Sequence, residues 1–263
     1  MKGFLEEYGL IIVVVAVILL MLLFGKSGYA KSIQNAILGS ADHIVETGEN
    51  ITKPEIHVNS GDMLNIDGSK YIVLEEKGNS QALVMTASSI GNRAVQERIN
   101  YDRDTELRPD GQRANTYEGS DIDKYLENTW YKGLSAKMQN AIQSTNIKQD
   151  SYSIFNEPDW KQDAGANGQV YNTISRHVFL PSVSEVEKAV DFNNKDKVTA
   201  FLHGTSIWTR SSIWNSINMK FMNSNGKGYN DNFNVDLKFG VRPAFVIDLS
   251  KVDYKVAGHT DYK

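Results

Sequence analysis

Three hydrophobic patterns follow one another along the chain. The first is an unbroken apolar run, "YGLIIVVVAVILLMLLFG" (residues 8–25), which carries no charge. As a helix it spans about 27 Å at ~1.5 Å per residue, close to the hydrocarbon thickness of a bilayer. The second is amphipathic. In "SGYAKSIQNAILGSADHIVETG" the residues Ile33, Ala36, Ile37, Ala41, Ile44 and Val45 recur at three- and four-residue spacing, so the helix is expected to continue. The third is alternation. "DMLNIDGSKYIVLEE" reads as a hairpin turning at Asp67-Gly68, and "SQALVMTASSI" as a third strand. Between helix and strands, "TGENITKPEIHVNSGD" (47–62) has turn residues and no periodicity, and reads as a linker.

The later segments alternate structure with long connections. "RAVQERINYDRDTELRPDGQRANTYEGS" is polar and irregular, and a surface loop is expected there. "SDIDKYLENTWYKGLSAKMQNAI" predicts two helical segments, with Ile122, Tyr125 and Leu126 as the buried stripe. Ser120 with Asp123 resembles a capping box in which aspartate replaces Glu or Gln. "TNIKQDSYSIFNEPDWKQDAGANGQVYNT" is a second loop-rich insertion, and "HVFLPSVSEVEKAVDF" a short strand followed by a helix capped by Ser182 or Ser184. The pattern predicts an α+β fold with few helices, short strands and long loops. Connections above ~15 residues are uncommon unless they carry a function.

Composition narrows the chemistry. The 263 residues are 41% hydrophobic and 23% charged, with net charge −4, enough for one large or two small domains. No clustered basic face points to nucleic acid. The chain has no cysteine, which excludes disulfides, thiolate nucleophiles and Cys-ligated metals. The five histidines (His43, His57, His177, His203, His259) show no i, i+4 pair and no ligand-like spacing. Asp191, Asn193, Asn194 and Asp196, or the segment 230–236, offer oxygen atoms but lack the glycine and terminal glutamate of a calcium loop, and read as polar loop residues. Neither a Ser/His/Asp arrangement nor a phosphate-cradling loop is recognisable. The expectation is a non-enzyme without metal or cofactor.

The apolar run is expected to be an uncleaved membrane-inserting helix. Its flanking charges nearly balance, Lys2 and the amino terminus against Lys26 and Lys31, which leaves orientation open. "EYGLI" (7–11) resembles the Glu-Tyr-Gly-Leu-Ile of the Flp (Tad-type) pilins. In those the glutamate lies five residues after a glycine, whereas Gly3 puts Glu7 at the fourth place. The resemblance implies that Glu6, Glu7 and Tyr8 serve helix assembly. Acidic groups before an apolar helix are costly in lipid but useful beside a neighbouring subunit's amino terminus.

"GDMLNIDGSKYIVLEEKGNSQALVMT", "YEGSDIDKYLENTWYKGLSAKMQNAI", "VFLPSVSEV", "WTRSS" and "GVRPAFVIDL", in that order, resemble the bacterial domain-of-unknown-function family numbered 6273 over roughly residues 60–250. Asp123, Tyr125 and Pro181 depart from its pattern as packing variants. The Trp-x-Arg-Ser and Gly-Val-Arg-Pro-Ala-Phe frame is also similar to C-type-lectin-like domains of formylglycine-generating-enzyme type. That likeness implies that the Trp/Arg strand and the final Gly-x-Arg strand pair in the core, with ligand-binding loops between them. Trp208, Phe239, Val241, Ala244, Phe245 and Ile247 would pack inside, Arg210 and Arg242 would tie loop carbonyls and carboxylates, and Pro243 would take an edge or bulge position. Formylglycine generation itself needs cysteines that are absent, and the related iron-dependent sulfoxide-forming enzymes need clustered histidines.

Between Ser211 and Asp236 lie seven asparagines (Asn215, Asn218, Asn223, Asn225, Asn230, Asn232, Asn234), interspersed with Trp214, Phe221, Tyr229 and Phe233. Rigid aromatics among small adaptable polar groups are what binding loops use. A turn-rich hairpin with inward-packed aromatics is the plainer alternative. A third reading is the variable region of a diversity-generating retroelement target, since asparagine codons are what such elements mutate. The candidate ligand-binding residues are therefore Trp214, Asn215, Asn218, Asn223, Asn225, Tyr229, Asn230, Asn232 and Asn234. The expected layout is an N-terminal transmembrane or pilin-like helix (1–46), a linker (47–59), a C-type-lectin-like domain (60–252) and a tail (253–263). The expected role is display of a ligand-binding or adhesive domain for an extracellular protein or glycan. The chain would sit in the cell membrane as a single-pass protein with the C-terminal domain outside, its partner being the lipid bilayer. In the alternative, neighbouring subunits pack through the N-terminal helix into an extracellular filament or other homo-oligomer.

Overall fold

A computed structural model describes residues 55–97, 107–152, 172–213, 217–224 and 228–263, with the backbone alone for 228–232. The helix expected over 1–46, with Glu6, Glu7 and Tyr8, lies outside the described residues. Among the described residues no helix is long and apolar enough to cross a membrane.

Strands dominate and helices are few and short, an α+β-like arrangement made mostly of sheet. β1 (Asp62–Ile66) and β2 (Ser69–Gly78) form the expected hairpin. Asp67 and Gly68 both have positive φ, 49° and 80°, as a two-residue turn matched to strand twist requires. β3 (Gln81–Thr86) follows through a second tight turn at Asn79 and Ser80. Ser80 holds φ 60° because it is pinned: its hydroxyl accepts from Ile56 N–H and its carbonyl from Leu249 N–H. β3 is buried along nearly its whole length, since it lies between β2 and β13 (Ala244–Asp248). With β14 (Tyr254–His259) on one edge and β5 (Ile142–Gln143) on the other, the first sheet runs β14-β1-β2-β3-β13-β5.

The second sheet runs β11-β10-β9-β12-β4, from Gly228–Asn234 (β11) through Asn218–Asn223 (β10), Ile207–Ile213 (β9) and Phe239–Gly240 (β12) to Asn92–Arg93 (β4). β7 (Ser151–Tyr152) adds to β9 in parallel. A separate ribbon pairs β6 (Thr145–Ile147) with β8 (Ile174–Arg176). All seven residues of β9 are buried, including Thr209, Arg210, Ser211 and Ser212, so the polar groups of this strand need partners inside the protein.

The helices follow their caps. α1 (Asp121–Tyr125) starts at Ser120, whose hydroxyl accepts from Asp123 N–H. The reciprocal half of the box is missing, because the Asp123 carboxylate instead accepts from Gly119 N–H and from Arg176. The chain continues through a π-type turn (Leu126–Trp130) and a 3₁₀ turn (Tyr131–Gly133) into α2 (Ala136–Ala141). Of the expected stripe, Ile122 and Leu126 are buried and Tyr125 is half-buried. α3 (Val183–Glu187) carries a complete capping box, Ser182 with Glu185, which settles the choice between the two serines. α4 (Lys195–Leu202) is capped by Asn194. The Asp191–Asp196 segment is thus occupied by capping and turn hydrogen bonds.

Two expectations are modified. The "RAVQ…YEGS" segment, where described, is not a surface loop throughout: Arg108, Ala114, Asn115, Thr116 and Tyr117 are buried. The tryptophan strand and the Gly-x-Arg segment pair only at one parallel bridge, Gly240 with Ile207. Beyond it Val241, Arg242 and Pro243 cross to the first sheet, where β13 pairs with β3. Pro243 stands at the crossing, where its missing N–H costs nothing and its carbonyl accepts from Thr86 N–H. Gly240 is required at the departure point. A Cβ there would lie 2.7 Å from Thr205 Cγ2 and 2.8 Å from the Ser206 carbonyl.

Candidate binding surface

The frame residues named from sequence are buried and tied down. Trp208 is fully buried, and its indole N–H donates to the Arg93 carbonyl at 2.9 Å. Arg210 on β9 donates to both Glu185 oxygens, each at 2.6 Å, and to the carbonyls of Lys148 and Leu180. Burial alone would lower its pKa, but the Glu185 carboxylate beside it outweighs that and holds it above its ordinary value. Arg242 donates to the carbonyls of Thr86 and Phe201 and stacks over the Phe201 ring. With no carboxylate facing it among the described residues, burial pushes the guanidinium pKa down to about 9, so it stays charged at neutral pH.

A second set of polar groups, some buried and some half-buried, gave no local signal in the sequence. Asp150 accepts from the hydroxyls of Ser211, Ser184 and Tyr152, while its carbonyl accepts from Ser212 N–H. Ser211 Oγ in turn accepts from Val183 N–H. This knot joins β7, β9 and α3. Ser211 is fully buried with its hydroxyl committed, so its place is structural. Asp123 is paired with Arg176, which the carboxylate holds above its usual pKa. Glu127 accepts from the backbone N–H groups of His177 and Val178 and pairs with His177 Nδ1 at 2.6 Å. The His177 ring stacks on Tyr131 at 4.5 Å. Among the described residues no three His, Asp or Glu side chains gather to hold a metal.

The asparagine-dense segment forms the hairpin of β10 and β11, and β11 is the outermost strand of its sheet. Trp214, Asn215 and Asn225 lie outside the described residues. Asn218 opens β10, half-buried, and its carbonyl accepts from Asn115. Asn223 closes β10 and is also half-buried. Tyr229, Asn230 and Asn232 are placed in β11 by its backbone, and Asn234 ends it, directly across from Asn218. The register therefore brings Asn218 and Asn234 together. Asn223 lies about 17 Å further along, at ~3.3 Å per residue. These positions spread along a strand and do not converge on one point.

Behind the hairpin stands an aromatic cluster. Phe221 on β10 contacts Phe239 (4.6 Å, stacked), Phe233 (4.9 Å, edge-on) and Trp208 (6.2 Å). The cluster grades from inside to outside. Trp208 and Phe221 are buried, Phe239 is half-buried, and Phe233 is 39% exposed. Leu237, in the turn after β11, is 43% exposed. The plainer expectation of a hairpin with inward-packed aromatics thus holds for Phe221, while Phe233 is shared between core and solvent.

Just past β11, the Val235 carbonyl accepts from the N–H groups of Val95 and Gln96, which leads to a polar cleft beside α1. Gln96, Glu97, Arg108, Asp110, Asp121 and Lys124 line it. No sequence pattern marked this cleft, because its described walls come from three separate segments, 96–97, 108–110 and 119–124, without a shared periodicity.

A family model described as a domain of unknown function, DUF6273, matches residues 79–249, from the β2–β3 turn to the end of β13. No curated protein and no solved structure matches the chain.

Proposed function

The chain belongs to the DUF6273 family, and we propose that this member is a non-catalytic binding module. Its contact surface would be the asparagine-rich outer strand β11 with Phe233 and Leu237. The single observation that supports this most is the contrast within one sheet. Trp208 and Arg210 of β9 are buried and bonded, whereas the hairpin beside them ends in an outermost polar strand with a half-exposed phenylalanine. A half-exposed aromatic backed by a packed cluster is how interface anchors are held ready at low entropic cost. Asparagine amides on the neighbouring positions supply both donors and acceptors.

In the finer form of this reading, the domain is C-type-lectin-like and meets an extracellular protein or glycan. The apolar run 8–25 holds it at the cell membrane. Support for the membrane part is the charge-free length of that run, and for the lectin-like part the Trp-Arg and Gly-Val-Arg-Pro-Ala frame.

Purified full-length protein in detergent, applied to glycan arrays and to arrays of extended peptides, tests the reading. A ligand retained by the native chain and lost on Phe233→Ala with Asn234→Ala supports it. A ligand bound equally well by that double variant would place the contact elsewhere and sink it.

A further inference from the structure

Arg242 is a buried cation with donors to spare. It is 1% exposed, and its bonds go to two carbonyls, from Nε to Thr86 at 2.6 Å and from Nη1 to Phe201 at 2.8 Å. Nη2 is sealed from solvent and has no hydrogen-bond partner among the described residues. A guanidinium carries five N–H donors, so these two bonds leave three unspent, two of them on Nη2. Thr86, whose carbonyl takes Nε, also has a buried hydroxyl without a partner among the described residues. Arg210 is the contrast within the same domain: comparably buried, it holds the Glu185 carboxylate bidentately. A buried cation without a counter-ion is costly, as is a buried N–H without an acceptor. Such groups are rare in folded proteins.

One side chain of an otherwise exposed arm lies beside this guanidinium. Past β14, the arm Thr260–Lys263 meets α4 and the segment before it. Tyr262 is its one buried residue, whereas Thr260, Asp261 and Lys263 are exposed. The Tyr262 ring meets Phe201 edge-on at 5.3 Å, and the Arg242 guanidinium lies over the same Phe201 ring at 4.9 Å. Tyr262 is also close enough to act on Arg242 electrostatically. So is His203, the exposed residue that ends α4; desolvation first and the Arg242 charge second hold its pKa below the ordinary value. The guanidinium therefore lies just beneath the surface, between an exposed histidine and the tyrosine of the arm.

Little holds the arm down. Thr260 N–H donates to the Gly61 carbonyl at 3.1 Å, and the Tyr262 carbonyl accepts from Asp191 N–H at 2.7 Å. Gly61, at φ 88°, permits this approach, since a Cβ there would fall 2.2 Å from the Thr260 carbonyl oxygen. The other ties are ammonium contacts at the surface, from Lys197 to Asp261 and the Lys263 carbonyl and from Lys263 to the Glu187 carbonyl. Exposed pairs of this kind contribute little. Lifting the arm breaks these contacts and one ring packing and leaves both sheets intact, which is the low-cost end of local opening. We propose that Tyr262 is a displaceable cover over an oxyanion site at Arg242, and that a carboxylate or phosphate group enters when the arm lifts. Two ligand oxygens match the planar fork, one on an Nη1 N–H and one on Nη2, the bidentate geometry that guanidinium favours. Because the arm must open first, the apparent affinity is the intrinsic one reduced by the fraction open. The site is separate from the β10–β11 hairpin and does not depend on it.

The test uses the full-length protein at neutral pH with sodium acetate and sodium phosphate as probes, sodium chloride holding the ionic strength constant. In the native chain the bound probe is expected to speed hydrogen exchange at the Thr260 and Asp191 amides, which close the arm, and to leave the buried β9 amides unchanged. By isothermal titration Tyr262→Ala is expected to bind the probe roughly tenfold more tightly than the native chain, since the cover is gone. Adding Arg242→Met to Tyr262→Ala is expected to abolish that binding. The probe with the larger effect identifies the ligand as carboxylate or phosphate. Unchanged exchange at both amides with either probe overturns the proposal, as does an absence of saturable binding to Tyr262→Ala or equal binding by the double variant. The exchange measurement needs no substitution, so it decides the matter in the event that Arg242→Met does not fold.

Discussion

The Arg210–Glu185 pair is where the structure makes its sharpest energetic claim. Arg210 is 4% exposed and sits in the middle of β9, and Glu185 is its bidentate partner. In Glu185→Ala the guanidinium keeps the Lys148 and Leu180 carbonyls and the nearby Asp150 charge, but loses its counter-ion. Removing one partner of a buried pair costs about 3–5 kcal/mol. The remaining acceptors and the partial exposure of Glu185 place the loss near the lower end. The same substitution takes the Oε2 acceptor from Ser182 N–H, ending the capping box of α3, for about 0.5–1.5 kcal/mol more. The expected total is ~3–4 kcal/mol, since these terms overlap at one side chain. For a domain of this size that lowers the melting temperature by about 6–16 °C. Urea unfolding followed by tryptophan fluorescence measures it, because Trp208 is buried two residues from Arg210. Glu185→Gln, which keeps an oxygen acceptor without the charge, is expected to lie between the native protein and Glu185→Ala. A loss under ~1 kcal/mol in Glu185→Ala, the size of an exposed pair, would refute the assignment of this pair to the frame.

Three further outcomes follow from particular contacts. Gly240→Ala forces a methyl against Thr205 and the Ser206 carbonyl and is expected to cost about 1–3 kcal/mol, read as a lower urea midpoint. Phe221→Ala empties the middle of the aromatic cluster for about 3–5 kcal/mol, whereas Phe233→Ala, already 39% exposed, is expected to cost less than half as much in the same assay. Acid titration has a definite sign. In the carboxyls of Glu75, Asp110 and Asp248 burial works to raise the pKa, but cationic and hydrogen-bonding partners outweigh it and hold each below its ordinary 4.5 (Glu) or 3.8 (Asp). Their contribution is therefore complete above those values and is lost as pH falls through the lower folded ones. Unfolding midpoints should hold down to about pH 5 and decline below pH ~4, and a midpoint that rises there contradicts these pairings.

What the sequence reveals divides along the range of the interactions. Asp67-Gly68 announces its hairpin because the turn needs positive φ at both positions, a local demand. Ser182 and Glu185 announce α3 because a capping box is complete within four residues. Trp208 is expected inside, and Arg210 and Arg242 as ties for loop carbonyls and carboxylates, from the resemblance of the Trp-x-Arg-Ser and Gly-Val-Arg-Pro-Ala-Phe frame, and all three are buried. The knots are a different matter. Asp150 meets Ser211 across 61 positions, and Glu127 meets His177 across 50. Such pairs are set by how sheets and helices stack, which no short spacing encodes. The same holds for Asp123: its spacing from Ser120 suits a capping box, yet Arg176, 53 residues away, takes the carboxylate. The division of the closing motif between two sheets was also hidden. Gly-Val-Arg-Pro-Ala-Phe reads as one strand, and only the crowding around Gly240 and the carbonyls that receive Arg242 turn it into a crossing. Of the binding surface, the composition was legible and the shape was not. Asparagine density marked the segment, but its place as an outermost strand depends on β10 pairing, and the adjoining cleft on the meeting of segments 96–97, 108–110 and 119–124.

Binding by the outer strand is the claim on which the functional account rests, and one measurement bears on it directly. Native full-length protein and a variant with Asn230→Ala, Asn232→Ala and Phe233→Ala are compared for retention of a ligand selected from glycan and peptide arrays, with melting curves as the fold control. The account predicts that the variant melts within a few degrees of the native protein, as substitutions on an outermost strand should, and no longer retains the ligand. Equal retention by a variant that melts like the native protein would contradict it.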